Sequence, residues 1–455
     1  MSSIGHHARA GTVTLAMGVA LLTSCSGEPN APRSTPGVSL LRAATGPSVT
    51  ATDPSYGHQG DSLLAVTITG SGFSPGAVAS WERGGVTDPK VHVNSTTYVS
   101  ATQLTASITI ASDASVALYD VAVTTADTKK GIGYSLFAVT YAIAITGTEI
   151  AYGANDIGGV VGRVWPLGAF FWSATGGLNT LGSPGRAFGI TVDGNSIVGG
   201  TTINALNDQA YIYTLSGGVW TRTNLPKDPA SVMTRPLSVA SDPTSGAATL
   251  IGGWESLGKQ GSNINRRPRL WVPSLGSWTK INLTAASSDD LVESVSANSI
   301  AVGTANNRAA VWSPNGANSW TAPLLIGASG SRLRGVNSAG TIAVGDAPGG
   351  SGTVAAYWTN SGTGWSGPTL LAGGCTSAQA IDDSGRIVAN GCPSGSHVSP
   401  ALIAPPYATA NVRPLIGLGD NASTTIAQGI SRGGTTIAGQ STIKSQAVGV
   451  YWRIP

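Results

Sequence analysis

An all-β fold is predicted by three observations. Glycine fills 62 of 455 positions, about twice its usual share, while charged residues make up only 10% where about 25% is ordinary. From about residue 47 onward, short apolar runs alternate with polar residues and break at Gly, Pro, Asn and Asp, the pattern of strands and turns. Beyond residue 142 one hairpin motif returns seven times. The same composition excludes other classes. An apolar content of 41% is too high for charge-driven disorder, and no apolar run reaches the ~18 residues of a membrane helix. A formal charge of +3 spread over this length does not point to nucleic acid.

The first residues read as an export signal. His6, His7 and Arg9 precede the apolar stretch Gly11 to Leu22, which is too short to span a bilayer. Leu22-Thr23-Ser24-Cys25 then resembles the lipobox of bacterial lipoproteins. That resemblance implies a signal peptide over 1–24 and lipidation of Cys25. The chain would then be anchored to the cell envelope through its N-terminal lipid, with Ser26 in place of Asp favouring the outer membrane or cell surface. An ordinary cleaved signal with an incidental cysteine is the alternative. Residues 25–46, rich in Pro, Ser, Gly and Ala, read as an extended tether.

Between 47 and 141 come runs such as 63–73, 77–81, 104–110, 119–125 and 133–140. Roughly seven strands with turns every 8–12 residues predict an immunoglobulin-like β-sandwich, with Trp81 in its core. The run Pro54…Gly57…Gly60, the segment Thr67 to Phe73 and the late strand Leu118-Tyr119-Asp120-Val121 resemble the IPT/TIG family. The resemblance implies a spacer or adhesion module.

The repeat over 142–455 reads Ala-x-Gly-Ile, a turn, then Gly-x-Ile-Val-Gly, with closing glycines at 162, 199, 252, 303, 345, 391 and 439. Each copy is followed by an Ala-x-x-Trp strand or a degraded form of it (Trp172, Trp271, Trp312, Trp358 and Trp452), then by a strand ending in Leu. Four strands every 40–50 residues predict a propeller blade, and seven copies predict seven blades. The small residues suit strands crowded round an axis, and the tryptophans suit the wedges between blades. The last copy ends at Trp452-Arg453-Ile454-Pro455 without a Leu strand, so 142–150 is expected to supply it and close the ring. The units resemble the HAF family of extracellular repeats, which implies location and architecture but no chemistry.

No catalytic constellation appears in the motifs. His397 is the one histidine beyond residue 142, and the turn aspartates (Asp156, Asp193, Asp242, Asp382 and Asp383) are expected to cap their own turns. No metal site and no cofactor are predicted. The variable loops join strands two and three of a blade, and strand four to the next blade. They carry a basic rim of Lys227, Arg235, Lys259, Arg266, Arg267 and Arg269, suited to an acidic glycan, a polyanion or a partner protein. Cys375 and Cys392 flank the sixth hairpin. A register that sets Ile381 opposite Arg386 also sets the cysteines opposite each other, so a disulfide is expected in an oxidising compartment.

These readings favour a non-catalytic binding module whose ligand, a glycan or a protein, meets the variable-loop face. A polysaccharide hydrolase or lyase and a purely structural envelope lipoprotein are the alternatives. A hydrolase should gather two carboxylates, or a carboxylate with Arg and Tyr, at the axis; a binding scaffold should show small, neutral residues there. Ligand identity and oligomeric state are not encoded in any motif.

Overall fold

The structure is a computed structural model that describes residues 46–455, except Val116, Leu167, Ser288, Ser351, Ile416, Lys444, Pro455 and the stretches 202–207, 261–262, 395–396 and 419–424. The expected signal segment, the tether up to residue 45 and Cys25 lie outside the described residues.

Two sheets form the N-terminal region. One runs Ser48–Asp53, Leu64–Ser71, Gln103–Ile110, Val91–Ser100; the other holds Val86–Thr87, Val78–Arg83, Ala117–Thr124 and Lys130–Ala144. Alternate residues of each strand point inward, as period two requires. Ile68, Leu104 and Ile108 from one sheet thus share a single buried core with Trp81, Tyr119 and Phe137 from the other. Trp81 fills that core, as expected, and meets Phe137 edge to face at 5.5 Å. Burial and the neighbouring Asp88 carboxylate, 3.0 Å from its hydroxyl, push Tyr119 up to about 12.

Six four-stranded antiparallel sheets follow, spanning 148–182, 186–224, 233–282, 291–325, 332–370 and 377–414. A seventh is built from Ile426–Ile430, Thr436–Ile443 and Gln446–Arg453 with the end of Lys130–Ala144. The first strands pack one on the next, from Thr148–Ala154 round to Ile426–Ile430 and back to Thr148–Ala154. This closed cycle is a β-propeller arrangement.

Closure differs in detail from the sequence expectation. Only residues 141–144 pair with 450–453, while Thr148 already opens the first sheet. Gly147, at φ +83°, makes the turn that divides the expected strand. The closing segment is also not separate from the N-terminal region, because Lys130–Ala144 pairs with Ala117–Thr124 over its earlier part. Ala142-Ile143-Ala144 follows Tyr141 with no turn residue between them, so one strand runs through both sheets.

The repeated tryptophans lie where neighbouring sheets meet. Trp271, Trp312, Trp358 and Trp452 are fully buried, and Trp172 is half-buried against Tyr451 at 4.7 Å. Three indole N–H groups donate to the connection from the preceding sheet: Trp271 to Pro226 O (2.8 Å), Trp312 to Thr284 O (3.1 Å) and Trp358 to Ile326 O (3.0 Å). Each staples a sheet to the chain that enters it.

Candidate functional site

The hairpin that opens each repeat sheet contains the same irregularity. Register slips by one residue in the first strand, skipping Tyr152, Phe188, Leu237, Glu293, Arg334, Gln379 and Gln428 in sheets one to seven. A β-bulge sets two residues against one and re-aims a side chain. The bulge also explains the closing glycine. A Cβ on Gly162, Gly199, Gly303, Gly345 or Gly439 would collide with the carbonyl oxygen that the bulged strand pushes toward it. In the third sheet the residue in this place is Gly253, not Gly252, and in the sixth it is Ala389, not Gly391. Sequence alignment missed both by one or two residues because it counted glycines without seeing the pairing.

The seven bulged residues are all half-buried, whereas the residue before each is fully buried. Five of them, Leu237, Glu293, Arg334, Gln379 and Gln428, line a cavity of about 220 Å³ on the axis. Tyr152 and Phe188, at the same place in the first two sheets, contact each other at 5.3 Å. Ring composition therefore changes with sheet order: aromatic and aliphatic in sheets one to three, planar and polar in sheets four to seven. These positions are the x of Ala-x-Gly, the residue that the repeat leaves free. That freedom was the signal in the sequence, and it went unread.

Each first strand runs from the variable-loop face, past the bulge, to a tight turn at the other end. The turns are laced together. Ser338 N–H donates to Asp383 (2.8 Å), Asp383 N–H to Arg432 O (2.9 Å), and Gly433 N–H to Asp156 (2.8 Å). Asp193, Asp242 and Asp382 bond within their own turns as expected, but the carboxylates of Asp156 and Asp383 do not cap theirs; they accept from neighbouring turns and tie these together. Arg432, 3.6 Å from Asp383, donates to Ser241 O (3.4 Å) on the third sheet and so spans the turn end of the channel.

Electrostatics in the ring is uneven. Asp346 grips the Arg334 guanidinium through Nε (3.0 Å) and Nη2 (2.8 Å). Glu293 has no ion pair or hydrogen bond to a described side chain; burial pushes its carboxyl up, opposed by Arg334, Arg332 and Arg266. The hydroxyl of Ser238, on the same lining, is buried without a hydrogen-bond partner. Both carboxylates that line the channel are thus accounted for. Glu293 sits in the ring, and Asp383 lies in the turn that follows Ser377–Ile381, at the other end of the cavity lining. Among the described residues no group of His, Cys, Asp and Glu converges as metal ligands would.

Half of the predicted rim, Arg235, Arg266 and Arg269, is matched by carboxylates rather than free. Arg235 pairs with Asp208 (2.5 Å) and lies over the buried Trp254, with Arg266 also over that ring. Arg266 is held by Asp289 (2.5 and 2.8 Å). Arg269 is buried against Glu255 (2.8 Å), which also takes Lys280 (3.1 Å). Arg267 donates to Ser287 O (3.2 Å) and Lys227 to Ser231 O (3.4 Å), while the backbone of Lys259 pairs with Ile264.

Cys375 and Cys392 are disulfide-bonded. The register at the turn is not the expected one, since Ile381 faces Ile387. The bulge at Gln379 shifts the pairing by one, so that Ala378 faces Ala389 and Ser377 faces Asn390. That shift restores the register in which the cysteines are opposite.

No protein-family model and no curated protein matches the chain. Among solved structures it is similar to YCF48 bound to D1 peptide, at 13% identity and a TM-score of 0.40, over 69% of this chain and 94% of that one. It is likewise similar to the Dos1 propeller (12%, TM-score 0.38, 73% and 88%) and to TolB from Acinetobacter baumannii (12%, 0.34, 74% and 79%). The class rests on the closed cycle of sheets itself: this is an all-β protein of propeller type with a channel on its axis.

Proposed function

We propose that the chain is a non-catalytic binding module of the cell envelope. It would carry a seven-bladed propeller of HAF-like repeats (142–455) on an IPT/TIG-type immunoglobulin-like domain (47–141), tethered through lipid on Cys25. The ligand meets the variable-loop face and enters the axial channel. One observation carries this reading. The repeat recurs at the positions that pack a blade, yet leaves different side chains at the seven bulges, and five of these, Leu237, Glu293, Arg334, Gln379 and Gln428, line the axial cavity. Lys227, Arg235, Lys259, Arg266, Arg267 and Arg269 frame that face, and the carboxylates on Arg235, Arg266 and Arg269 argue against a polyanion as the main ligand.

The competing reading is a polysaccharide hydrolase, favoured by the unpaired Glu293. Against it stands the other lining carboxylate, Asp383, which lies in a hairpin turn and is already engaged by the Ser338 N–H (2.8 Å) and by Arg432 (3.6 Å). The test is array binding, to glycans and to peptides, of the full chain and of a variant with Leu237, Glu293, Arg334, Gln379 and Gln428 all changed to Ala. Binding should be present in the first and lost in the second. Equal binding by both overturns the axial site, and glycan shortening by the wild type but not by Glu293→Gln supports the hydrolase.

A further inference from the structure

We infer that the axial channel takes the terminal sugar ring of an uncharged glycan, held between the apolar arc of Ile190, Val192 and Leu237 and the polar arc of Glu293, Arg334, Gln379 and Gln428. The inference rests on the binding-module reading and names the ligand class for that site. Glu293, Gln379 and Gln428 each end in a planar group with two polar atoms, the geometry that engages adjacent hydroxyl groups in pairs, while Arg334 keeps only Nη1 beyond its bonds to Asp346. Ile190, Val192 and Leu237, which line the channel from the second and third sheets, offer the apolar surface that the C–H face of a pyranose needs.

Charge narrows the class further. An anion finds no free cation in the ring, because Asp346 already holds Arg334 by two nitrogens and Arg432 is engaged by Asp383 and Ser241 O. It would also face the unpaired Glu293. A cation would meet Arg332, which has no carboxylate partner among the described residues, near that same carboxyl. A neutral ligand rich in hydroxyls avoids both penalties.

Size and shape set the mode. About 220 Å³ is below the ~300–1,000 Å³ of pockets that enclose drug-sized ligands, so the channel admits one ring and not a chain. Arg432 spans the turn end, so a glycan cannot thread through and only its tip enters from the variable-loop face.

Ligand-observed saturation-transfer NMR on the full chain tests this with the methyl glycosides of glucose, galactose, mannose and N-acetylglucosamine. Short amide-capped peptides form the second arm. At least one glycoside should bind. Glu293→Gln and Gln379→Ala should each weaken it about tenfold, as the loss of a directional or charge-assisted hydrogen bond does. Gln379→Trp, which fills the channel, should abolish it, with circular dichroism reporting the native fold in each variant. Absence of glycoside binding, or binding unaffected by these changes, overturns the inference. If peptides bind instead and Gln379→Trp blocks them, the sugar assignment fails while the axial binding site survives. If array ligands bind and no ring variant alters them, the reading beneath it fails as well.

Discussion

The N-terminal sheets and the repeat sheets solve the same packing problem differently. The first pair buries one large core in which Trp81 sits fully enclosed, its indole N–H without a hydrogen-bond partner. The repeat region divides its apolar mass into small cores between neighbouring sheets, each with a large side chain such as Trp271, Trp312 or Trp358, whose indole N–H bonds the incoming connection. A single core leaves no place to vary without loss. Repeated cores leave one half-buried residue per unit at the bulge, and five of the seven line the axial cavity.

The largest expected break of this comparison is removal of residues 446–455. That deletes the third strand of the last sheet and orphans residues 141–144, so the cycle opens and two exposed edges appear. The repeat region should lose its cooperative thermal transition. A wild-type melt with only local fraying near residue 430 would mean that closure contributes little.

Truncating the core tryptophans sharpens the contrast. Trp81→Ala and Trp312→Ala should each cost ~3–5 kcal/mol in chemical denaturation. Phenylalanine separates them. Trp312→Phe leaves the Thr284 carbonyl unpaired and should cost about 1–2 kcal/mol more than Trp81→Phe, where no hydrogen bond is lost. Equal costs would remove the staple role given to the repeated indoles.

The disulfide comes next. Its loop is short, so replacing Cys375 and Cys392 by Ala should cost at most ~3 kcal/mol, confined to the sixth sheet. Thiol titration of the unfolded, unreduced chain should find no reactive thiol at these two positions; two would contradict the pairing.

The smallest effects are in pH. Lys280 beside Asp228 holds that carboxyl below the usual range. Its stabilisation is therefore present above the ordinary carboxylate pKa and disappears as pH falls through the lowered one, and Asp228→Asn should flatten the acid limb of a stability profile. Glu293 has the opposite sign. Burial raises its pKa, so its ionisation destabilises the fold increasingly as pH rises from the ordinary carboxylate value through the raised one. Glu293→Gln should match wild type near pH 4 and melt slightly higher at pH 7.

What was legible in the sequence follows the same division. Side chains demanded by packing recur and could be read: the closing glycines, the tryptophans, the hairpin turns and the sandwich core round Trp81. The strand through residues 130–144 was read as two because its sharing between sheets leaves no mark in composition. The rim was read as basic because its acids, Asp208, Glu255 and Asp289, come from other turns of the chain or from the facing strand. The ring of bulges was present in the sequence only as an unassigned letter of the motif, and only the pairing register shows that seven such letters meet.

The most direct measurement is a crystal structure of the full chain with whichever glycoside or peptide saturates best. The account predicts ligand density on the axis, in hydrogen-bond contact with Glu293, Gln379 or Gln428. Density over the 227–269 rim or on the N-terminal sheets, with the channel unchanged, would contradict it.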